Sequence, residues 1–159
     1  MRIDEVIKQC AQSNEDILWE KHNNLEAVVY RKSLMFFSEQ GLVSAIRDSL
    51  SPPHLTEIKK LNRYFNLVEQ VESTAIKKEA FVSERKLLDS GTDAICLETM
   101  DGQRKWIDKD LVEAFAFKRK YLFVDPSTID ADGIAADEIK NMVFISEQEK
   151  IAGIVMILR

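Results

Sequence analysis

Hydrophobic residues in the first part of the chain recur every three or four positions, the spacing of a helix that buries one face. Residues 3–10 follow this pattern and predict an amphipathic opening helix. The pattern returns over residues 55–73, directly after Pro52-Pro53, because proline ends one element and constrains the residue before it. We therefore predict a helical region over residues 1–73.

Residues 16–40 lie inside this region and allow two interpretations. Apolar residues from Leu18 to Phe36 trace a helical stripe, which favours a helix. The alternative is a β-hairpin, because the turn-forming pair Asn23-Asn24 lies between two β-prone runs. We favour the helix and keep the hairpin as the alternative.

The pattern changes after residue 74, where short β-prone runs alternate with turn residues. Residues 94–97 and 104–107 flank Asp101-Gly102, and such an Asp-Gly pair is the strongest short-range signal of a hairpin. A good N-cap, Asp108, then predicts a short helix. Further strands are predicted at residues 81–82, 121–124, 142–145 and 151–158.

The two patterns together predict an α+β protein. We expect the helical region, residues 1–73, to pack on a small antiparallel C-terminal sheet or partial barrel formed by the β-rich region, residues 74–159. A chain of 159 residues suits one compact domain, so both regions are expected to unfold as one cooperative unit.

The hairpin segment carries a resemblance to a known group of proteins. Residues 92–98 and 101–111 resemble a strand-turn-strand signature in small accessory proteins of phages and plasmids, over about 20 residues. Members of that group tend to have proline where this chain has Asp108. The resemblance implies an origin in a mobile element and a small β-barrel-like lobe, and it implies no set of functional residues.

Composition limits the cellular compartment and the kinds of chemistry that we expect for this protein. Two cysteines lie 86 positions apart, the acidic residues Asp4 and Glu5 precede any apolar run, and the longest apolar run is far too short to span a bilayer. We therefore expect a cytoplasmic protein with no membrane segment. His22 and His54 are the only histidines, and no Gly-rich phosphate loop or clustered metal ligands occur, so we expect no catalytic residue, cofactor or metal.

Charge is distributed unevenly along the C-terminal half. Residues 125–150 hold seven acids against two bases, and residues 104–120 hold six bases against three acids. Charge runs mostly serve solubility, so the first interpretation is two solvated faces of opposite sign that attract one another. The alternatives are a protein-docking surface on the acidic block and a nucleic-acid surface on the basic block with its tryptophan. The candidate partner-binding acids are Asp130, Asp132, Asp137 and Glu138; the candidate nucleic-acid residues are Arg104, Lys105, Trp106, Lys118, Arg119 and Lys120.

Phe36-Phe37 adds a further candidate contact. Adjacent residues on a helix cannot face the same way, so either one phenylalanine is exposed or both sides are covered, and the second case suits a homodimer or another partner. The leading hypothesis is a non-enzymatic binding or inhibitory accessory factor whose partner is another protein. The alternatives are a nucleic-acid-associated protein and, third, a carboxylate-based hydrolase, which an acid-lined pocket would favour.

Overall fold

A computed structural model describes residues 1–39, 41–49, 52–73, 76–130 and 133–158. These residues build one ten-stranded sheet with helices on both faces, and none of their helices is long and apolar enough to cross a membrane. The strands are β1 (Ile17–His22), β2 (Leu25–Tyr30), β3 (Leu34–Ser38), β4 (Leu55–Glu57), β5 (Lys77–Leu87), β6 (Asp93–Thr99), β7 (Arg104–Asp108), β8 (Lys120–Val124), β9 (Met142–Glu147) and β10 (Lys150–Met156). The helices are α1 (Ile3–Ala11), α2 (Leu42–Arg47), α3 (Asn62–Ser73) and α4 (Ala136–Lys140), with short 3-10 helices at Lys109–Val112 and Pro126–Thr128.

Strands from the N-terminal and C-terminal parts of the chain lie in the same sheet. Its strand order is β4-β1-β2-β3-β10-β9-β8-β5-β6-β7, and all neighbours are antiparallel except the parallel pair β1 and β4. The sheet is curled. This is shown by the amide of Leu158, which follows β10 and donates to the carbonyl of Trp106 in the edge strand β7 at 2.8 Å. Strands from both predicted regions therefore share one sheet, and their cooperative unfolding stays a prediction.

The prediction of a helical N-terminal half is wrong, and so is the prediction of a small sheet confined to the C-terminal half. Residues 17–38 form the three strands β1, β2 and β3, with Asn23 in the first turn at a φ of 55°. Both faces of these strands are covered by helices, so their apolar residues do not alternate with polar ones and mimic a helical stripe. The hairpin that we kept as the alternative is the one that forms.

The predicted helix over residues 55–73 is only partly confirmed. Its first residues form β4, which pairs with β1, and helix α3 begins at Asn62. The carboxylate of Glu20 accepts the amide of Leu61 at 3.0 Å immediately before α3. A side chain far away in the sequence thus helps to determine where this helix starts.

Several predictions are confirmed. Helix α1 forms, and the hairpin of β6 and β7 turns at Gly102, whose φ of 88° suits glycine. Asp108 caps the 3-10 helix that follows, by accepting the amide of Asp110 at 2.9 Å. Strand β8 and the closing hairpin of β9 and β10 also lie where the pattern placed them.

Two apolar clusters lie on opposite faces of the sheet. The inner cluster packs the sheet against α1, α2 and the segment after β7, and the outer cluster packs it against α3 and α4. Phe36 belongs to the inner cluster and Phe37 to the outer one, as expected for neighbours in a strand.

Two buried glutamates in the first hairpin connect the sheet to helices on both faces. Glu20 points to the outer face and binds the residue before α3. Glu26 points to the inner face, where its carboxylate accepts the amide of Val43 in the first turn of α2 at 3.2 Å. A carboxylate at a helix N-terminus satisfies an amide that has no partner within the helix and interacts favourably with the helix dipole.

Phe115 enters the inner cluster through a gap left by a glycine. An added Cβ on Gly153 would lie 2.5 Å from Cε1 of the Phe115 ring and 3.0 Å from the carbonyl oxygen of Met35. The ring is fully buried and packs on Phe36 at a centroid distance of 5.4 Å. The central strand β10 therefore needs glycine here for space, and the register of β10 shifts just before it, between Ile151 and Gly153.

We expect Gly153→Ala to destabilise the protein by about 1 to 3 kcal/mol, because the new methyl group collides with Phe115 in a filled core. Urea unfolding measures this as a lower midpoint. Adding Phe115→Leu, which lacks the colliding ring atoms, should make the double variant less unstable than the sum of the two single losses. Additive losses would contradict the proposed contact.

We expect Glu26→Leu to lower the free energy of unfolding by roughly 1 to 3 kcal/mol, because the amide of Val43 loses its acceptor. Glu26→Gln is the matched control, since it keeps an acceptor oxygen and should lose less. Equal losses for both variants, measured by thermal or urea unfolding, would show that the hydrogen bond contributes nothing.

Candidate functional site

The described residues enclose a cleft of about 1240 Å³ where β3 and β10 separate. These strands pair through Leu34–Phe36 and Gly153–Val155, and the cleft is lined by residues 37–39 of one strand end and 150–152 of the other. Its volume exceeds the roughly 300 to 1,000 Å³ of typical small-molecule sites. The cleft therefore has room for a polypeptide segment.

The floor of the cleft is apolar. Phe37 from β3, Phe65 and Val68 from α3, and Ile151 from β10 are all buried at its base. The imidazole of His22 packs on the Phe65 ring at a centroid distance of 5.4 Å. A floor of buried rings and branched side chains favours an apolar occupant.

One wall is the loop of residues 116–118, which the surrounding structure holds firmly. The guanidinium of Arg119 donates to the carbonyls of Val112 at 2.7 Å and Phe115 at 3.1 Å. The amide of Ala116 donates to the carboxylate of Glu147 at 2.5 Å. These bonds fix the loop backbone although its next residue, Phe117, faces solvent.

Phe117 is the most exposed aromatic side chain among the described residues, with 79% of its surface open to solvent. It lies at the cleft, and the guanidinium of Arg2 stacks over its ring at 4.4 Å. Aromatic rings of this kind dominate the binding energy of many protein interfaces. Ile3 is also exposed beside the cleft and extends the apolar surface.

The opposite wall is acidic. Glu69 and Glu72 project from α3, and Glu39 follows β3. The carboxylate of Glu72 accepts the amide of Ile151 at 2.8 Å. Glu39 and Glu69 are exposed and form no ion pair with any other described residue.

The turn between β9 and β10 forms part of the rim and is strained. Its two central residues, Gln148 and Glu149, have φ values of 50° and 69°, a conformation that normally requires glycine or asparagine. Non-glycine residues in this region raise the energy of the fold, and such strain often persists at functional sites.

The residues of the predicted basic block differ in exposure and in their partners. Arg104 pairs with Glu84 and Glu98, each at 2.9 Å, and the hydrogen bond that it donates to Glu84 raises the pKa of Arg104. Lys105 donates to the carbonyl of Met142 at 3.3 Å, and burial lowers its pKa. Trp106 is half-buried and Arg119 binds loop carbonyls. Arg104, Lys118 and Lys120 are exposed, and of these three only Arg104 forms an ion pair with another described residue.

The predicted acidic surface is partly described. Asp130, Asp137 and Glu138 are exposed, and Asp132 lies outside the described residues. The backbone of Asp130 is held by Gln70 of α3, which accepts its amide at 2.8 Å. A partner-binding role for these acids stays a prediction. Phe36 and Phe37 are buried within this chain, so neither side chain is open to a partner.

His54 forms an exposed pair with Asp16. Its Nδ1 lies 2.8 Å from the Asp16 carboxylate, both side chains are largely exposed, and the hydroxyl of Thr56 donates to the same carboxylate at 3.4 Å. Within the described ranges, no three potential metal ligands lie close enough to share an ion.

The sequence offered little sign of this cleft. Phe115 and Phe117 lie two positions apart in a loop, yet one is fully buried and the other open to solvent. No periodic pattern distinguishes them, because the loop follows neither helical nor strand spacing. Glu69 and Glu72 lie on the polar side of a predicted helix, where acids usually serve solubility.

Comparisons of the chain with known protein families, with curated proteins and with solved structures found no match. The functional assignment therefore depends on the geometry of the cleft.

We expect Glu149→Gly to stabilise the protein by about 1 kcal/mol, because glycine adopts a φ of 69° without steric cost. A higher urea midpoint would show this. Gly102→Ala is the converse control, since it places a side chain at a φ of 88° and should destabilise. An unchanged midpoint for Glu149→Gly would show that the turn stores no strain.

Proposed function

We propose that this protein is a non-enzymatic binding module that docks another protein in the cleft between β3 and β10. The observation that carries the proposal is Phe117, an exposed aromatic side chain on a firmly held loop that lines the same cleft as several buried apolar residues. An ordered loop loses little conformational entropy on binding, so an aromatic anchor there contributes more affinity.

The surroundings of Phe117 support a protein partner over a small molecule. The cleft is large, and two exposed apolar residues, Phe117 and Ile3, line it. Exposed apolar side chains bordered by polar residues are typical of protein interaction sites. A small ligand would leave these side chains in water.

The nucleic-acid alternative has less support. Phosphate binding needs several free cations on one surface. In this fold, Arg104 is paired with carboxylates and Arg119 binds loop carbonyls. Of the predicted block, Lys118 and Lys120 are exposed and form no ion pair with another described residue, and two lysines are too few for a phosphate-binding stripe.

The hydrolase alternative depends on the acid-lined cleft, and that feature has another explanation. Two of its four glutamates, Glu72 and Glu147, bind backbone amides of neighbouring segments. These two carboxylates therefore act as hydrogen-bond acceptors within the structure of the cleft. A role as an accessory or inhibitory factor of a mobile element fits a small binding module and stays a hypothesis.

We expect Phe117→Ser to remove most partner binding with little loss of stability, because the ring is largely exposed. Affinity capture from the native host, quantified by mass spectrometry, compares this variant with the wild type. Phe81→Ser is the matched control, since Phe81 is also exposed, at 55%, but does not line the cleft. Equal capture by all three proteins would overturn the proposed docking site.

A further inference from the structure

At Ile151, the edge of β10 that faces the cleft forms a hydrogen bond with a side chain and not with a neighbouring strand. In a sheet, the amide and carbonyl of one residue point to the same neighbouring strand. The amide of Ile151 donates to the carboxylate of Glu72, and the pairing of β10 with β3 is confined to Gly153–Val155. The Glu72 carboxylate therefore occupies the place where the carbonyl of an adjacent strand would lie.

The two walls of the cleft differ in chemistry. Glu69 and Glu72 of α3, together with Glu39 after β3, make one wall acidic, and we call it the α3 wall. The loop wall presents the exposed ring of Phe117 together with Lys118, which repels a cation on that side. An occupant complementary to both walls has basic side chains towards α3 and apolar side chains towards Phe117.

An extended polypeptide meets both requirements, because its successive side chains point to opposite faces. Addition of such a segment to an exposed strand edge is a common mode of peptide recognition, in which main-chain hydrogen bonds give affinity and alternate side chains give specificity. The edge at residues 150–152 amounts to roughly 10 Å of strand. Ile151 and Ala152 are buried there, so the Glu72 side chain must move before a segment can reach their backbone.

Resting on the proposed function, we propose that the occupant is an extended segment of the partner protein in which lysine or arginine alternates with apolar residues. Its backbone bonds to β10 at Ile151 and displaces the Glu72 carboxylate. Glu72 and Glu69 then pair with its basic side chains, and its apolar side chains pack on Phe117 and the floor of the cleft.

Selection from a random peptide library tests this proposal. Phage-displayed peptides of about 12 residues, roughly 40 Å when extended, are selected on the full chain. We expect enrichment of peptides with lysine or arginine at alternate positions and apolar residues between them. A double variant, Glu69→Gln with Glu72→Gln, should bind them about tenfold more weakly, and added salt should weaken binding to the wild type.

Two controls separate the possible failures. Glu79→Gln removes an exposed acid outside the cleft and should leave peptide binding unchanged. No enrichment, or enriched peptides that bind Phe117→Ser as well as the wild type, would overturn both the docking site and the occupant. Peptides that need Phe117 but lack basic residues, or that bind the double glutamine variant equally well, would overturn the occupant alone.

Discussion

The close contact between Phe115 and Gly153 is the constraint on which the architecture depends. Gly153 lies in the strand that joins the N-terminal strands to the C-terminal ones, and the Phe115 ring fills the space that a side chain there would take. This contact anchors the segment between β7 and β8 in the inner core. The same anchor places the next residues, with Phe117 among them, at the mouth of the cleft.

Polar groups inside the fold complete this arrangement by bonding backbone amides. Glu20 and Glu26 bind the starts of two helices on opposite faces, and Glu147 and Glu72 bind the loop and strand edge at the cleft. A buried carboxylate without such a partner would carry a large desolvation cost. These glutamates therefore link helices and loops to the sheet at defined positions, and the cleft keeps its shape because of them.

The cleft itself follows from incomplete pairing in the sheet. Strands β3 and β10 pair over three residues and then separate, which leaves a space lined by the outer apolar cluster. Strand edges left unpaired in this way invite another strand, and proteins usually block them. In this protein a carboxylate from α3 accepts the amide of Ile151, and this is the hydrogen bond that the proposed segment would replace.

The sequence alone determined the elements that depend on local signals: the first helix, the turn at Gly102, the cap at Asp108 and the closing hairpin. Turns and helix caps form between residues that are close in the chain, so the local sequence is enough to predict them. Tertiary structure decided that residues 17–38 are strands, because burial on both faces removes the alternation that marks a strand. It also decided the cleft, since Phe37, Phe65, Phe117 and Ile151 come together only through long-range packing that no local pattern encodes.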